Sequence, residues 1–212
     1  MRFATVLAFA TAASAVALPK SAVSPDGYKY EVVDEAHYVP ETITLEDGTT
    51  STVLVHPAFK FKRNEVEAPG SSANKVDKRL DWVGGQRPDT CGASSFVNKS
   101  SGGSPKTTDC VKIRDHYRTA NGHFVVMSNF DIKPNGDWCR LVITGSCVFG
   151  IKSKNQWDPR VGSTDIADLT GDSINKFKTS GSPSRVGAEG NMGCQTDMFT
   201  GTASVDWAIF HN

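Results

Sequence analysis

Cysteine is absent from the first 79 residues of this 212-residue chain, and all five of its cysteines follow later. They are Cys91, Cys110, Cys139, Cys147 and Cys194. No Cys-x-x-Cys pair occurs, and the spacing of Cys139 and Cys147 matches no zinc-ligand pattern. We therefore expect neither a zinc module nor a dithiol redox site.

Charge imbalance and long apolar runs are also lacking. The chain has 23 Lys and Arg against 23 Asp and Glu, a formal net charge of zero, so nothing directs it to nucleic acid or to an anionic membrane. Beyond the N-terminus, no stretch approaches the run of about 20 apolar residues that a transmembrane helix needs. We predict no nucleic-acid partner, no membrane span and no cofactor.

The N-terminus has the three regions of a secretory signal peptide. Met1-Arg2 is positively charged, Phe3 to Ala17 is apolar and rich in small residues, and Leu18-Pro19-Lys20 is polar again. This order predicts a signal peptide at residues 1–17 and a secreted, extracellular protein.

Residues 18–79 are predicted to form a partly disordered pro-segment and linker, because prolines and charged residues interrupt them repeatedly. Within this range, alternating residues at 42–45 and 52–55 flank the Asp47-Gly48 pair, which predicts a β-hairpin. A lone hairpin is marginal in water, so we expect it to fold only against another part of the protein.

The dibasic pair Lys78-Arg79 follows this linker. In a secreted chain an exposed dibasic pair favours propeptide cleavage, which would make Leu80 the new N-terminus and residues 80–212 the mature domain. The alternative is an uncut N-terminal extension in which Lys78-Arg79 is only a solvated charge pair.

Secretion into an oxidising compartment favours disulfides for the cysteines. Because five is odd, at most two intramolecular bridges form, and Cys139, next to Trp138, is the candidate for the spare thiol. Four cysteines allow three pairings, so the sequence leaves the connectivity open. The pairs that we favour are Cys91 with Cys110 and Cys147 with Cys194.

Periodicity after residue 80 predicts two helices and several strands. Cys110, Ile113 and Tyr117 mark one buried helix face, and a second helix is predicted from Asp165 to Lys178. Gly145-Ser146 predicts a two-residue hairpin turn between strands at 139–144 and 147–151. This order predicts an α+β fold, a small disulfide-stapled α/β sandwich with both helices on one face of an antiparallel sheet.

Seven short stretches carry a resemblance to a known family: CGASSF at 91–96, DC at 109–110, GSCVFG at 145–150, VGSTDIADL at 161–169, DSINKF at 172–177, GNMGC at 190–194 and VDWAI at 205–209. In this order they resemble the necrosis-inducing-factor domain of secreted fungal effectors, the homologues of the leaf-mould effector "extracellular protein two".

The resemblance spans about Thr90 to Phe210. It implies four family cysteines at Cys91, Cys110, Cys147 and Cys194, with Cys139 outside the pattern. It also implies a secreted fungal effector that provokes necrosis or promotes virulence in a plant host, or a protein that harms competing microbes. The order of elements is similar, at the level of fold alone, to the virally encoded killer toxins of fungi.

Catalytic residues are difficult to find in this sequence. His116, His123 and His211, with Glu189 or Arg114, could supply acid–base chemistry. A structural explanation is favoured, because His116 lies one position off the apolar stripe of its helix and His211 is the penultimate residue. Paired aspartates for glycoside hydrolysis are available as Asp165, Asp168 and Asp172, although their helix accounts for them. Ser94-Ser95 lies in no G-x-S-x-G motif. These observations favour a protein without catalytic activity.

Two hypotheses about function stay open. The first is an effector or toxin that binds an extracellular target of a host or a microbe, and the second is a small secreted hydrolase of nucleic acid or glycan.

Asn98-Lys99-Ser100 is a glycosylation sequon, which predicts a surface position for Asn98 in a secreted protein.

Overall fold

The computed structural model describes residues 21–31, 37–45, 47–60, 80–126, 138–153, 157–196 and 200–212. The predicted signal peptide, the pair Lys78-Arg79 and the linker before it lie outside these residues. Cleavage at Lys78-Arg79 and the division of the chain at residue 79 therefore stay predictions.

Two α-helices and thirteen β-strands occur within the described residues. The helices are α1 (Thr107–Thr119) and α2 (Ser163–Phe177). The strands are β1 (Ser21–Val23), β2 (Lys29–Glu31), β3 (Val39–Thr44), β4 (Thr50–Val55), β5 (Leu80–Gly84), β6 (Cys91–Ser94), β7 (Val97–Asn98), β8 (Gly122–Val126), β9 (Cys139–Thr144), β10 (Cys147–Ser153), β11 (Arg160–Gly162), β12 (Ala188–Gln195) and β13 (Thr202–His211).

Eight strands form the main sheet, in the order β3-β4-β9-β10-β13-β12-β6, with β7 also paired to β12. All of its neighbouring strands are antiparallel. A second sheet has the order β11-β8-β5, and β1 pairs with β2 alone. The predicted α+β fold with an antiparallel sheet, two helices and two disulfides is confirmed.

The main sheet is apolar on both faces. In β10, Phe149 belongs to a large cluster that we call the helix-side core, because it contains the buried residues of α1 and α2, whereas the adjacent Val148 belongs to a second cluster. In β13, Ile209 and Phe210 divide in the same way. Successive side chains of a strand point to opposite faces, so each face of the sheet needs its own cover.

The second cluster, which we call the outer cluster, is rich in aromatic residues. Its buried members are Tyr28, Tyr38, Trp138, Ile143, Val148, Ala208 and Phe210. Two of the seven, Tyr28 and Tyr38, come from the described residues between 21 and 60, which we call the N-terminal segment. The N-terminal segment therefore covers the face of the sheet opposite the helices.

The predicted hairpin forms and joins the main sheet. Strands β3 and β4 pair from Val39↔Val55 to Thr44↔Thr50, and Gly48 adopts a φ of 81° in the connection between them. Strand β4 also pairs with β9 through Leu54↔Ile143 and Val55↔Val142. The neighbouring strand provides the support that an isolated hairpin lacks.

Helix α1 packs on the sheet as its sequence pattern predicts, with Cys110, Ile113 and Tyr117 buried. Its N-cap residue is Lys106. Asp109 holds the β9–β10 turn, since its carboxylate accepts hydrogen bonds from the Ser146 backbone N–H (2.9 Å) and hydroxyl (2.8 Å).

The β9–β10 turn at Gly145-Ser146 forms as predicted, with Gly145 at a φ of 54°. A Cβ atom at Gly145 would lie 2.6 Å from an Asp109 carboxylate oxygen. This position therefore requires glycine both for its backbone conformation and for the close approach of α1.

The favoured disulfide pairing was wrong. The bonds join Cys91 to Cys194 and Cys110 to Cys147. Antiparallel pairing of β6 with β12 places Cys91 opposite Cys194, with Cα atoms 4.0 Å apart, although 103 residues separate the two in sequence. Cys139, half-buried at the start of β9, belongs to neither bond.

The Cys110–Cys147 bond ties α1 to the centre of the main sheet across a loop of 37 residues. A double Cys110→Ala/Cys147→Ala variant should lose about 4 kcal/mol of unfolding free energy, because the unfolded chain regains the entropy of that loop. Guanidinium unfolding would measure this loss. Peptide mapping without reduction should recover Cys110 linked to Cys147, and a peptide linking Cys91 to Cys110 would contradict the structure.

Candidate functional site beside the Cys91–Cys194 disulfide

A cleft opens beside the Cys91–Cys194 bond, where β6 and β12 meet α2. Its volume is about 200 Å³, below the range of about 300–1,000 Å³ that is usual for small-molecule sites. Its lining combines carboxylates with apolar side chains: Asp89, Cys91, Gly92, Ser94, Phe96, Asp165, Asp168, Leu169, Asp172 and Met192. A cleft of this size and charge suits a side chain or a single sugar unit of a larger partner.

Asp165 closes the inner end of the cleft and serves as a structural anchor. One of its carboxylate oxygens accepts hydrogen bonds from the backbone N–H groups of Thr90 (3.0 Å), Cys91 (3.1 Å) and Gly162 (2.9 Å), and from the Thr90 hydroxyl (3.1 Å). These bonds fasten the start of α2 to the start of β6. Burial raises the pKa of Asp165 to about 6, although the hydrogen bonds oppose this rise.

The outer rim of the cleft is exposed and charged. Asp168 and Asp172 project from α2 with exposed side chains, one helical turn apart. Lys176 forms an ion pair with Asp172 (2.7 Å) and lies over the Phe96 ring, 3.7 Å from its centroid. Because this pair is exposed, it contributes little to stability, and the rim can exchange it for contacts with a partner.

Ser94 lies in the floor of the cleft and is held by Trp207. The buried indole N–H donates a hydrogen bond to the Ser94 hydroxyl at 2.7 Å. At Gly190, a Cβ atom would collide with the Ser95 carbonyl oxygen, so glycine allows β12 to approach the chain after β6. The hydroxyl of Ser94 therefore has a structural role, in agreement with the lack of a serine-hydrolase motif.

The histidines considered for acid–base chemistry lie outside the cleft lining. His116 is buried on α1, with Nε2 3.7 Å from a carboxylate oxygen of Glu41, and burial lowers its pKa to about 4. It is therefore neutral at pH 7, and this contact is not an ion pair. His123 is buried on β8 with Nδ1 3.2 Å from the Gln86 carbonyl oxygen.

The remaining acid–base candidates have structural partners of their own. Glu189 forms an ion pair with Lys99 (2.8 Å) and accepts a hydrogen bond from the Tyr28 hydroxyl (3.0 Å). Arg114 contacts the carboxylate of its neighbour Asp115 at 2.6 Å. The backbone N–H of His211 donates to Asp26 at 2.9 Å.

The described part of the chain has neither a metal-binding cluster nor a membrane-spanning helix. No group of three or more His, Cys, Asp or Glu there has the arrangement of a metal site. No helix in the same residues is long and apolar enough to cross a membrane.

The sequence pointed to Asp165, Asp168 and Asp172 but not to the cleft that they share. The two halves of the cleft, at 89–96 and 165–172, meet where the Asp165 carboxylate accepts hydrogen bonds from Thr90 and Cys91. Thr90 and Asp165 are 75 residues apart in sequence, so their contact has no local signal. Phe96 and Lys176 were missed for the same reason. The predicted glycosylation site, Asn98, is exposed on β7, and its side-chain oxygen accepts a hydrogen bond from the Ser100 N–H at 2.9 Å.

Residues 90–194 match the sequence model of the Hce2 family, described as "Pathogen effector; putative necrosis-inducing factor". The match ends at Cys194 and begins one residue before Cys91, so it encloses both disulfides and nearly all of the cleft. No curated protein matches the chain.

The raised pKa of Asp165 leads to a prediction about pH. The pKa of Asp165 is about 6 in the folded protein, against an ordinary value of 3.8. The folded state therefore binds the Asp165 proton more tightly than the unfolded state does, and the contribution of Asp165 to the unfolding free energy falls as pH rises from 4 to 6. The unfolding free energy of the native protein minus that of Asp165→Asn should fall by about 2–3 kcal/mol between pH 4 and pH 7.

His116 has the opposite pH dependence, since its pKa is lowered, and the subtraction removes its contribution. The Asn175→Ala variant, at an exposed position of the same helix, is the control, because it changes no titratable group, and it should follow the native protein across the range. A difference that rises with pH would show that the hydrogen bonds to the Asp165 carboxylate outweigh its burial.

Proposed function

Because residues 90–194 match the model of this family of pathogen effectors, we propose that the protein is a secreted effector that acts outside the producing cell. In this proposal it promotes virulence or necrosis in a plant host by binding an extracellular target, without catalysis. The observation that carries the proposal is the family match, whose range coincides with the disulfide-bonded framework.

Secretion has two further lines of support. Two disulfides close the framework, and such bonds persist in the oxidising environment of secreted proteins. The N-terminal sequence predicts a signal peptide at residues 1–17. Cleavage at Lys78-Arg79 and glycosylation at Asn98 are part of the same proposal, because both act on exported chains.

A binding role agrees better than catalysis with the surroundings of the titratable side chains. His116 and His123 are buried, and Asp165 is saturated by hydrogen bonds from β6 and the start of α2. A hydrolase needs at least two available titratable groups that converge on a substrate. The exposed candidates in the cleft are the carboxylates Asp89, Asp168 and Asp172, which support a glycan or nucleic-acid hydrolase only weakly.

The rim of the cleft is the proposed contact surface. Asp168, Asp172 and Lys176 offer exposed charges, and Phe96 offers an aromatic ring at the same position. Val97, next to Phe96, is 47% exposed, which is high for a large apolar residue. Charged groups around an aromatic anchor are typical of a protein-binding surface, and the target is a host or microbial extracellular molecule.

Infiltration of the purified secreted protein into plant leaves tests the proposal. We expect cell death from the native protein and at least a tenfold higher threshold dose for the double variant Asp168→Lys/Asp172→Lys, because both changes reverse the charge of the rim. Asn175→Lys, on an exposed position of the same helix, is the control for added charge and should keep the native threshold. Circular dichroism should show the same fold for all three proteins.

A native protein without effect across several hosts would contradict the plant-host part of the proposal. Growth assays on other fungi would then test the antimicrobial alternative that the killer-toxin analogy suggests. Loss of activity in Asp168→Asn together with release of sugar or nucleotide from a polymer would instead favour the hydrolase.

A further inference from the structure

We propose that residues 21–60 are a non-covalent subunit of the mature protein, which stays bound to the domain after the chain is cut at Lys78-Arg79. The inference depends on that predicted cut and not on the identity of the effector's target. It changes the role of the segment from a discarded propeptide to a permanent part of the fold.

Strand β4 contributes side chains to both hydrophobic clusters, because successive residues of a strand point to opposite faces of the sheet. Val53 and Val55 are fully buried in the helix-side core, and Leu54 between them packs against the outer cluster. The His56 backbone N–H continues the pairing with β9 by donating to the Leu141 carbonyl oxygen at 2.8 Å. Strand β9 would be an edge strand without β4, and exposed edges favour unwanted association.

The short 3-10 helix that follows, Pro57–Lys60, closes another part of the helix-side core. Ala58 is 2% exposed, and the Phe59 ring lies 4.5 Å from the Trp82 ring and 5.4 Å from the His116 ring, centroid to centroid. Since Trp82 and His116 are buried beneath this segment, its departure would open the core next to α1.

The opposite face of the sheet depends on the same segment. Tyr28 stacks on Phe210 with ring centroids 5.1 Å apart and meets Trp138 edge-on at 5.9 Å. The Arg140 guanidinium lies 4.5 Å from the Tyr30 ring centroid and 5.6 Å from that of Tyr38. Both tyrosines come from the N-terminal segment, so their loss would expose the aromatic patch and leave Arg140 without these two contacts.

Polar contacts fix the position of the segment on the domain. The Tyr28 hydroxyl donates to Glu189 (3.0 Å), and the Tyr38 hydroxyl donates to the Arg140 carbonyl oxygen (3.0 Å). The Asp26 carboxylate accepts from the His211 backbone N–H (2.9 Å). These bonds connect the segment to β9, β12 and β13, strands distributed across the main sheet.

The cleavage sites lie where cutting leaves the segment whole. The chain has two dibasic pairs, Lys62-Arg63 and Lys78-Arg79, and both fall between Lys60 and Leu80. A dibasic-specific protease therefore separates residues 21–60 from residues 80–212 without touching a strand of either part.

Treatment of the purified full chain, with Lys78-Arg79 still intact, with a dibasic-specific protease tests the proposal. Denaturing electrophoresis should show complete cutting into the N-terminal fragment and the domain, with the linker peptide 64–79 released where both pairs are cut. Native size exclusion should give one peak that contains both the N-terminal fragment and the domain by mass spectrometry. Elution of the N-terminal fragment as a separate peak, with the domain still folded, would overturn the proposal.

Substitutions on β4 sharpen the test. Val53→Asp places a charge in the helix-side core and should release at least ten times more N-terminal fragment from the cut protein. Thr52→Asp, at the exposed neighbouring position, is the matched control and should keep the fragments together. If Val53→Asp fails to fold before cutting, Tyr28→Ala provides a milder change. It removes the contacts of Tyr28 with Phe210, Trp138 and Glu189 on the outer face and places no charge in the helix-side core.

Equal retention of the fragment by the native protein, Thr52→Asp and a folded Val53→Asp would show that the sheet pairing does not hold the segment, and the proposal would fail. Because the readout is co-elution, the result does not depend on whether the protein causes cell death.

Discussion

The main sheet has two apolar faces, and the rest of the structure follows from the need to cover both. Side chains alternate between the faces of a strand, so a central strand such as β13 sends Ile209 to the helix-side core and Phe210 to the outer cluster. The two helices cover one face, and the N-terminal tyrosines cover the other. A chain with only the helices would leave a large aromatic patch in water, which soluble monomers rarely tolerate.

Covalent and polar contacts then fix the helices in position. The Cys110–Cys147 bond and the Asp109 carboxylate both connect α1 to the start of β10. The Cys91–Cys194 bond and the Asp165 carboxylate together hold β6 between β12 and α2. The candidate site lies at this second junction, so the contacts that stabilise the framework also shape the cleft.

The sequence predicted the features that depend on local pattern. The inward stripe of α1, the Gly145-Ser146 turn and the β3–β4 hairpin are each encoded within about a dozen residues, and each forms. The partner of Cys91 depends on the pairing of β6 with β12, across 103 residues, and the two halves of the cleft meet through Asp165 and Thr90, which are 75 residues apart. Register between distant strands has no local signal, so the partner predicted for Cys91 was wrong. The role of the N-terminal segment could not be predicted for the same reason. Its prolines and charged residues are typical of a linker, and the residues that Tyr28 and Val53 contact are distant in sequence.

The central claim is that the N-terminal segment belongs to the main sheet. Amide hydrogen exchange of the secreted chain tests it most directly, by comparing a peptide that covers β4 and His56 with one that covers the central strand β10. Hydrogen bonding of the His56 N–H to Leu141 and pairing of β4 with β9 predict strong protection of the β4 peptide, close to that of β10. Exchange of the β4 peptide at the rate of an unfolded chain, while β10 stays protected, would contradict the account.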